Sequence, residues 1–425
     1  MRKYNLPLAA ALRHLVWMLA ILLLPTAAVR GQELLPQFTL PGQTKAPLFS
    51  KEQLKTKRWD RPVHSSLVGS SIEEFAFQAQ VNATIPLWSG SATYQGTPYK
   101  FQMVGQDPTK RLVNPFTFVK AALIPIKFNF QPSNTVFDPA AGNSCTPRPV
   151  IQMTELSPLF VPITKSVGGT ELGIGQFAGL FQRANFFKYT GPSGINPLYE
   201  IFLIPSVTGE ITIYVYSNLV FPASLWNGCN PLGLIEINSW DSLVQSAILP
   251  ALLQFGIGPQ VLPIFVFEDV AMYDTTPLNC CALGYHNAFK SPVNGALQTY
   301  VVAMYDTTGG AFGNNQDIMV LSHEIAEWMN DPTTTNPTPP WGNVGQVQGC
   351  QSDLEVADPL TGTAFPIIMP YFTYHVQDLA FKSWFYRESP SIGVNGWYSL
   401  LGTFQTYAAP CLAVANLTGR GSSHR

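Results

Sequence analysis

The chain predicts an α+β fold, β-rich at first and mixed later, on three observations. Its earlier part alternates apolar and polar residues at the strand period, as in Tyr99-Lys-Phe-Gln-Met-Val. Its later part interleaves β-branched apolar runs, Val261–Phe267 and Thr299–Tyr305, with segments of helical period. The third observation is Asp317–Met329, which runs without Gly or Pro until Asn330-Asp331-Pro332 stops it. Ile318, Leu321, Ile325, Trp328 and Met329 give that segment a broad apolar face, so it is expected to be a buried helix.

At the N-terminus, Arg2, Lys3 and Arg13 precede the apolar run Leu15–Leu24, which Pro25 and small residues follow. This is the pattern of a secretory signal peptide, with cleavage expected after Gly31 or, second, after Ala28. The run falls short of the about 20 apolar residues of a membrane-spanning helix. Later apolar stretches are all cut by Pro, Gly or charge. The expected address is secreted, periplasmic or extracellular, with no membrane span once the leader is removed. Four regions are expected: a signal peptide over 1–31, an irregular arm over 32–72, a β-rich region over 73–150 and a mixed α+β region over 151–425. Charged residues are only 12% of the chain, about half the usual share. A formal net charge of −2 offers no field to attract nucleic acid, so none is expected as a partner. The basic stretch Lys51–Arg61 reads as a solvated entry segment, and Asn82 and Asn416 fit the glycosylation sequon. Nothing in the sequence speaks to oligomeric state.

Strands are expected at Phe75–Ala83, Tyr99–Val104 and Ala121–Phe130, with Pro125 suggesting an edge or a bulge. A helix is expected over Gly175–Phe187, then two strands within Glu200–Tyr216 about a Val207-Thr-Gly-Glu turn. Ser239 is a good cap for a helix running to about Phe255. After the strand ending at Tyr305 comes a Gly/Asn-rich loop, Thr307–Asn315, and beyond the buried helix a Pro/Thr/Asn-rich loop over 333–349. Cys145, Cys229, Cys280, Cys281, Cys350 and Cys411 are an even set in an exported chain, which favours disulfides. Adjacent Cys280 and Cys281 are not expected to bond each other. One of them is expected to reach Cys350.

The chemistry concentrates in His323-Glu324-Ile325-Ala326-Glu327, an HExxE box. Residues four apart share a helix face, so His323 and Glu327 can point at one ion while Glu324 handles a proton as general base. This is the HExxH zinc geometry with glutamate in place of the second histidine. Burying His323, Glu324 and Glu327 is costly unless they are paired or ligate a cation, which argues for a metal. Downstream, Glu355 is the first choice for a third ligand, with Asp358 an alternative ligand or a partner for His323. His286 or Tyr285 could stabilise an oxyanion or support the ligands. Zinc is the first choice of cofactor, and the carboxylate-rich set also admits Mn²⁺ or Ca²⁺. The competing reading salt-bridges the box to Lys290, Lys382 or Arg387 in a non-enzymatic extracellular or cell-surface binding protein. His64 and His375 read as structural, and His424 lies in a polar tail. The aromatics about Trp384-Phe-Tyr and Trp397-Tyr are expected in the core rather than in a glycan groove.

Three motifs in order, Cys280-Cys-Ala-Leu-Gly-Tyr-His286, Ser322-His-Glu-Ile-Ala-Glu327 with Asp331-Pro332, and Asp353-Leu-Glu-Val-Ala-Asp358, resemble the Exordium (phosphate-induced protein) family of secreted plant proteins. The likeness spans residues 280–360. It implies export and a metal-site layout, not a substrate. The box itself is similar to that of the zincin metallopeptidases, which implies a zincin-like architecture over residues 151–425 around the buried HExxE helix and a metal-dependent hydrolase, with a peptide or cell-envelope substrate expected.

Overall fold

The computed structural model describes residues 35–41, 85–291, 295–313 and 315–411. The expected leader, the alternating stretch at 75–83, the basic stretch at 51–61, His64, His424 and both sequons lie outside the described residues. An α+β fold is observed, with strands dominating the earlier part and the longest described helix coming late in the chain.

Its centre is an eight-stranded sheet. The strands that matter here are β1 (Phe38–Pro41), β2 (Phe116–Gln131), β3 (Glu200–Val207), β4 (Ile211–Tyr216), β5 (Val261–Glu268), β6 (Gly284–Lys290) and β7 (Leu297–Tyr305). They lie in the order β1-β4-β2-β5-β7-β6, with β3 beside the first half of β2 and the short strand Thr135–Phe137 beside its end. β1 to β4, β4 to β2, β3 to β2, β2 to β5 and β5 to β7 are parallel, and β6 turns back antiparallel on β7. Parallel strands covered on both faces carry apolar side chains on both, which is why Val261–Phe267 and Thr299–Tyr305 show no alternation. Every residue of β5 and β7 is buried.

Four local expectations need correction. Part of the expected irregular arm is strand, since Phe38–Pro41 adds to the edge of β4. Pro125 sits in the middle of the sheet, not at its edge, with Val266 of β5 beside it. On its other side the pairing to β3 ends at Leu123 and that to β4 begins at Ile126. The missing N–H of Pro125 therefore falls where one outer neighbour gives way to the next. The helix expected from Ser239 begins at Ile237, because Glu236 supplies the cap by accepting from the N–H groups of Asn238 and Ser239. Finally, the loop expected over 333–349 is mostly a hairpin, Pro337–Val344 with Val347–Asp353. Its Trp341 is fully buried, with ring centroids 5.6 Å from Trp384 and 5.1 Å from Phe385. That aromatic cluster holds the hairpin down despite its prolines, and it places Trp384, Phe385 and Tyr386 in the core as expected.

Three cysteine pairs stand at disulfide distance: Cys145 with Cys229, Cys350 with Cys411, and Cys280 with its neighbour Cys281. The pairing expected between Cys350 and Cys280 or Cys281 is thus replaced. Cys350 lies on the hairpin, and the C-terminal stretch runs along that hairpin closely enough for Cys411 N–H to reach Pro340 O at 3.1 Å. Cys280 and Cys281 sit in a short strand beside Met272–Tyr273, joined by a cis peptide with their Cα atoms 3.1 Å apart. No helix among the described residues is long and apolar enough to cross a membrane. Cys145 and Cys229 are 84 residues apart in the chain, so their bond removes much freedom from the unfolded state. Replacing both by serine is expected to cost about 2–4 kcal/mol in urea unfolding, and an unchanged midpoint would show that the link carries no stability.

Candidate metal centre

The helix α1 (Met319–Asn330) carries the HExxE box and is buried along its whole length. It packs on β6, on β7 and on the strand Thr373–Gln377. Trp328 anchors it, donating from Nε1 to Thr299 Oγ1 of β7 at 3.1 Å. Strand alternation sorts the residues of β6 between its two faces. His286 faces the helix, while Tyr285 turns to the other side and donates to Asp241 Oδ1 at 2.8 Å. Gly284 also faces the helix, and a Cβ there would lie 2.6 Å from Val320 Cγ1 and 2.9 Å from Glu324 Cγ. Glycine at 284 lets the box approach the strand that carries His286.

Glu327 is held from two directions. Its Oε1 accepts from the backbone N–H groups of Ala357 and Asp358, at 3.2 and 3.3 Å. Its Oε2 lies 3.1 Å from His323 Nε2 and 3.8 Å from His286 Nδ1. His323 Nε2 is also 3.3 Å from Asp358 Oδ1, and His286 Nδ1 is 3.4 Å from Glu324 Oε2. Among the described residues these donors form two triads that could hold a cation, His323–Glu327–Asp358 and His286–Glu324–Glu327. All five residues are at most 5% exposed.

The outer nitrogens of the two imidazoles decide their tautomers. His323 Nδ1 is 3.1 Å from Gln377 Oε1, and the Gln377 amide is fixed the right way round because its Nε2 donates to Ala357 O at 2.6 Å. His286 Nε2 is 3.0 Å from the carbonyl oxygen of Asp331. Both outer partners are acceptors, so each ring keeps its proton on the outside. In a neutral imidazole the inner nitrogen then turns a lone pair towards carboxylate oxygens. That arrangement is repulsive unless a second proton or a metal ion lies between. The 3.1–3.4 Å separations span the outer end of ordinary N–H···O hydrogen bonds, about 3.2 Å, and the about 3.3 Å between two ligands of a tetrahedral ion, so they admit either a shared proton or a cation. Burial alone would make protonation of His323 harder, but Glu327, Asp358 and Glu324 together raise its pKa well above the ordinary value. The site therefore attracts positive charge.

Of the residues singled out from the sequence, the structure brings His323, Glu324, Glu327, Asp358 and His286 together. Glu355 is fully buried but belongs to neither triad, so Asp358 rather than Glu355 stands beside His323. Tyr285 lies on the other face of β6 with its hydroxyl on Asp241, and burial and the Asp241 charge raise its pKa well above the ordinary value. Lys382 and Arg387 are engaged elsewhere, the first with Glu388 and the second with the carbonyl oxygens of Ala408, Pro340 and Ala409. His375 pairs with Asp317 at 2.7 Å, outside the centre.

Sequence reasoning missed the glutamines. Gln346 and Gln351, on the two strands' turn and return, donate to Asp358 Oδ1 and Oδ2 at 2.6 and 3.2 Å and aim that carboxylate. The turn they leave from needs Gly345, whose φ is +57° and whose Cβ would meet Asp358 O at 2.0 Å. Gln377 does the same for His323 from another hairpin. A glutamine carries no motif, so only its placement reveals it. The chain was compared with family models, with curated proteins and with solved structures, and nothing matched in any of the three.

Two outcomes are expected. Gln377→Leu should weaken divalent-metal affinity about 10–100-fold in a chelator competition, because the His323 ring loses its outer acceptor. Unchanged affinity would remove Gln377 from the centre. Gly284→Ala should destabilise the fold by about 1–3 kcal/mol by thermal or urea unfolding, since backbone and helix crowd the new methyl group. A neutral effect would mean that the helix can move off β6.

Proposed function

We propose that this is an exported metalloprotein whose buried HExxE helix holds a divalent cation for hydrolysis, with a peptide or cell-envelope substrate. The observation that carries the reading is the pair of imidazoles with their protons turned outward and their lone pairs turned towards carboxylates. His323, Glu327 and Asp358 would hold the ion and leave a coordination position for water. A bound divalent ion supplies a water whose pKa is lowered far enough to act near neutral pH. Glu324, next to His323 on the same helix, is placed to take that water's proton and return it to the leaving amine. Zinc fits the spacing, and the two carboxylates beside one histidine also suit a harder ion such as Mn²⁺. Export, the zincin-like layout and the Exordium-like order of motifs belong to this reading, supported by the leader pattern and the three cysteine pairs.

A second reading has a specific observation in its favour. Every ligand is nearly enclosed, which suits a centre that ties the helix, β6 and the segment 354–358 together without turnover. One experiment separates the two. Protein dialysed against chelator is assayed on casein and on cell-wall peptides, with and without added Zn²⁺ or Mn²⁺, beside Glu327→Ala. Metal-restored cleavage, absent in the variant, is the expected result. Folded wild type that binds metal and cleaves nothing would leave the structural reading standing. Cleavage retained by Glu327→Ala would contradict the assigned site.

A further inference from the structure

The five donors do not surround one point. They divide into two triads that share only Glu327, one with His323 and Asp358, the other with His286 and Glu324. The same oxygen, Glu327 Oε2, faces both imidazoles, at 3.1 and 3.8 Å. We propose that the centre holds two divalent cations bridged by Glu327, the second lying among His286, Glu324 and Glu327. For its first ion this rests on the reading above; the second ion is new.

Three independent features of the second triad point to a ligand. His286 lies on the sheet and not on the helix, yet Gly284 two residues earlier removes the side chain that would hold the helix off. Its outer nitrogen is committed to the carbonyl of Asp331, the residue that ends the helix, so its inner nitrogen is left to face Glu324 and Glu327. Its inner nitrogen stands 3.4 Å from Glu324 Oε2 and 3.8 Å from Glu327 Oε2, both longer than the about 2.7–2.9 Å of a charge-assisted hydrogen bond.

In two-ion hydrolytic centres the ions stand about 3.5–4 Å apart and hold a water or hydroxide between them, stabilising both attacking and leaving oxygens. A carboxylate bridging through one oxygen is compatible with that spacing. Glu324 could then ligate the second ion through Oε2 and keep its other oxygen for the proton of the bound water, so its role above is extended rather than replaced. His286 changes more: it becomes a ligand and not an oxyanion donor.

The test is Mn²⁺ titration of chelator-treated full-length protein, read by mass-spectrometric metal content and by low-temperature electron paramagnetic resonance. Two equivalents with a spin-coupled signal are expected for wild type. His286→Asn should fall to one equivalent with the six-line signal of an isolated ion, folded by circular dichroism. If that variant fails to fold, the wild-type signal alone decides. Saturation of wild type at one uncoupled equivalent would overturn the second site and leave the first. Two uncoupled equivalents would put the second ion elsewhere and also overturn it. No binding at all would remove both readings.

Discussion

Glu327 is the carboxylate on which the surroundings of the box depend. One of its oxygens is fixed by two backbone N–H groups of the segment 357–358, and the other stands between two imidazoles from different elements. A carboxylate buried in this way is costly unless it is hydrogen-bonded, paired or protonated. Histidines reach it from β6, through His286, and from the helix itself, through His323. Gly284, the hairpin that aims Asp358 and Gln377 support the same arrangement. Taking one away leaves a buried charge without its geometry rather than a mere gap in packing.

The elements of the fold were readable where local pattern decides them. The strands at 200–216, 261–268 and 297–305 and the helices at 177–185 and 319–330 all stand where periodicity put them. The direction of the sheet was not readable, because parallel pairing joins residues far apart, such as Leu123 with Ile264. The hairpin at 337–353 was hidden by its prolines. What orders it is Trp341 packing on Trp384 and Phe385, a contact across more than forty residues that no local window contains.

Within the centre, His323, Glu324 and Glu327 were legible because four-residue spacing on a helix is a geometric statement. Asp358 against Glu355 was not. Both lie in one short segment, and the choice depends on where the chain bends into the turn at Asp358–Leu360. His286 was noticed, but its role depends on which strand neighbours the helix. The alternation of β6 puts Tyr285 on the other face, against Asp241. The disulfide pattern was likewise a matter of tertiary proximity: Cys350 finds Cys411 because the segment at Cys411 lies against the hairpin.

The central claim is that His323, Glu327 and Asp358 together hold a divalent metal ion. X-ray absorption at the zinc edge, on protein purified without chelator and reconstituted with Zn²⁺, tests it most directly. The account predicts a first shell of nitrogen and oxygen at about 2.0–2.1 Å with the multiple-scattering signature of imidazole, lost in Glu327→Ala. A spectrum of hydrated zinc alone, or one unchanged by that substitution, would contradict it.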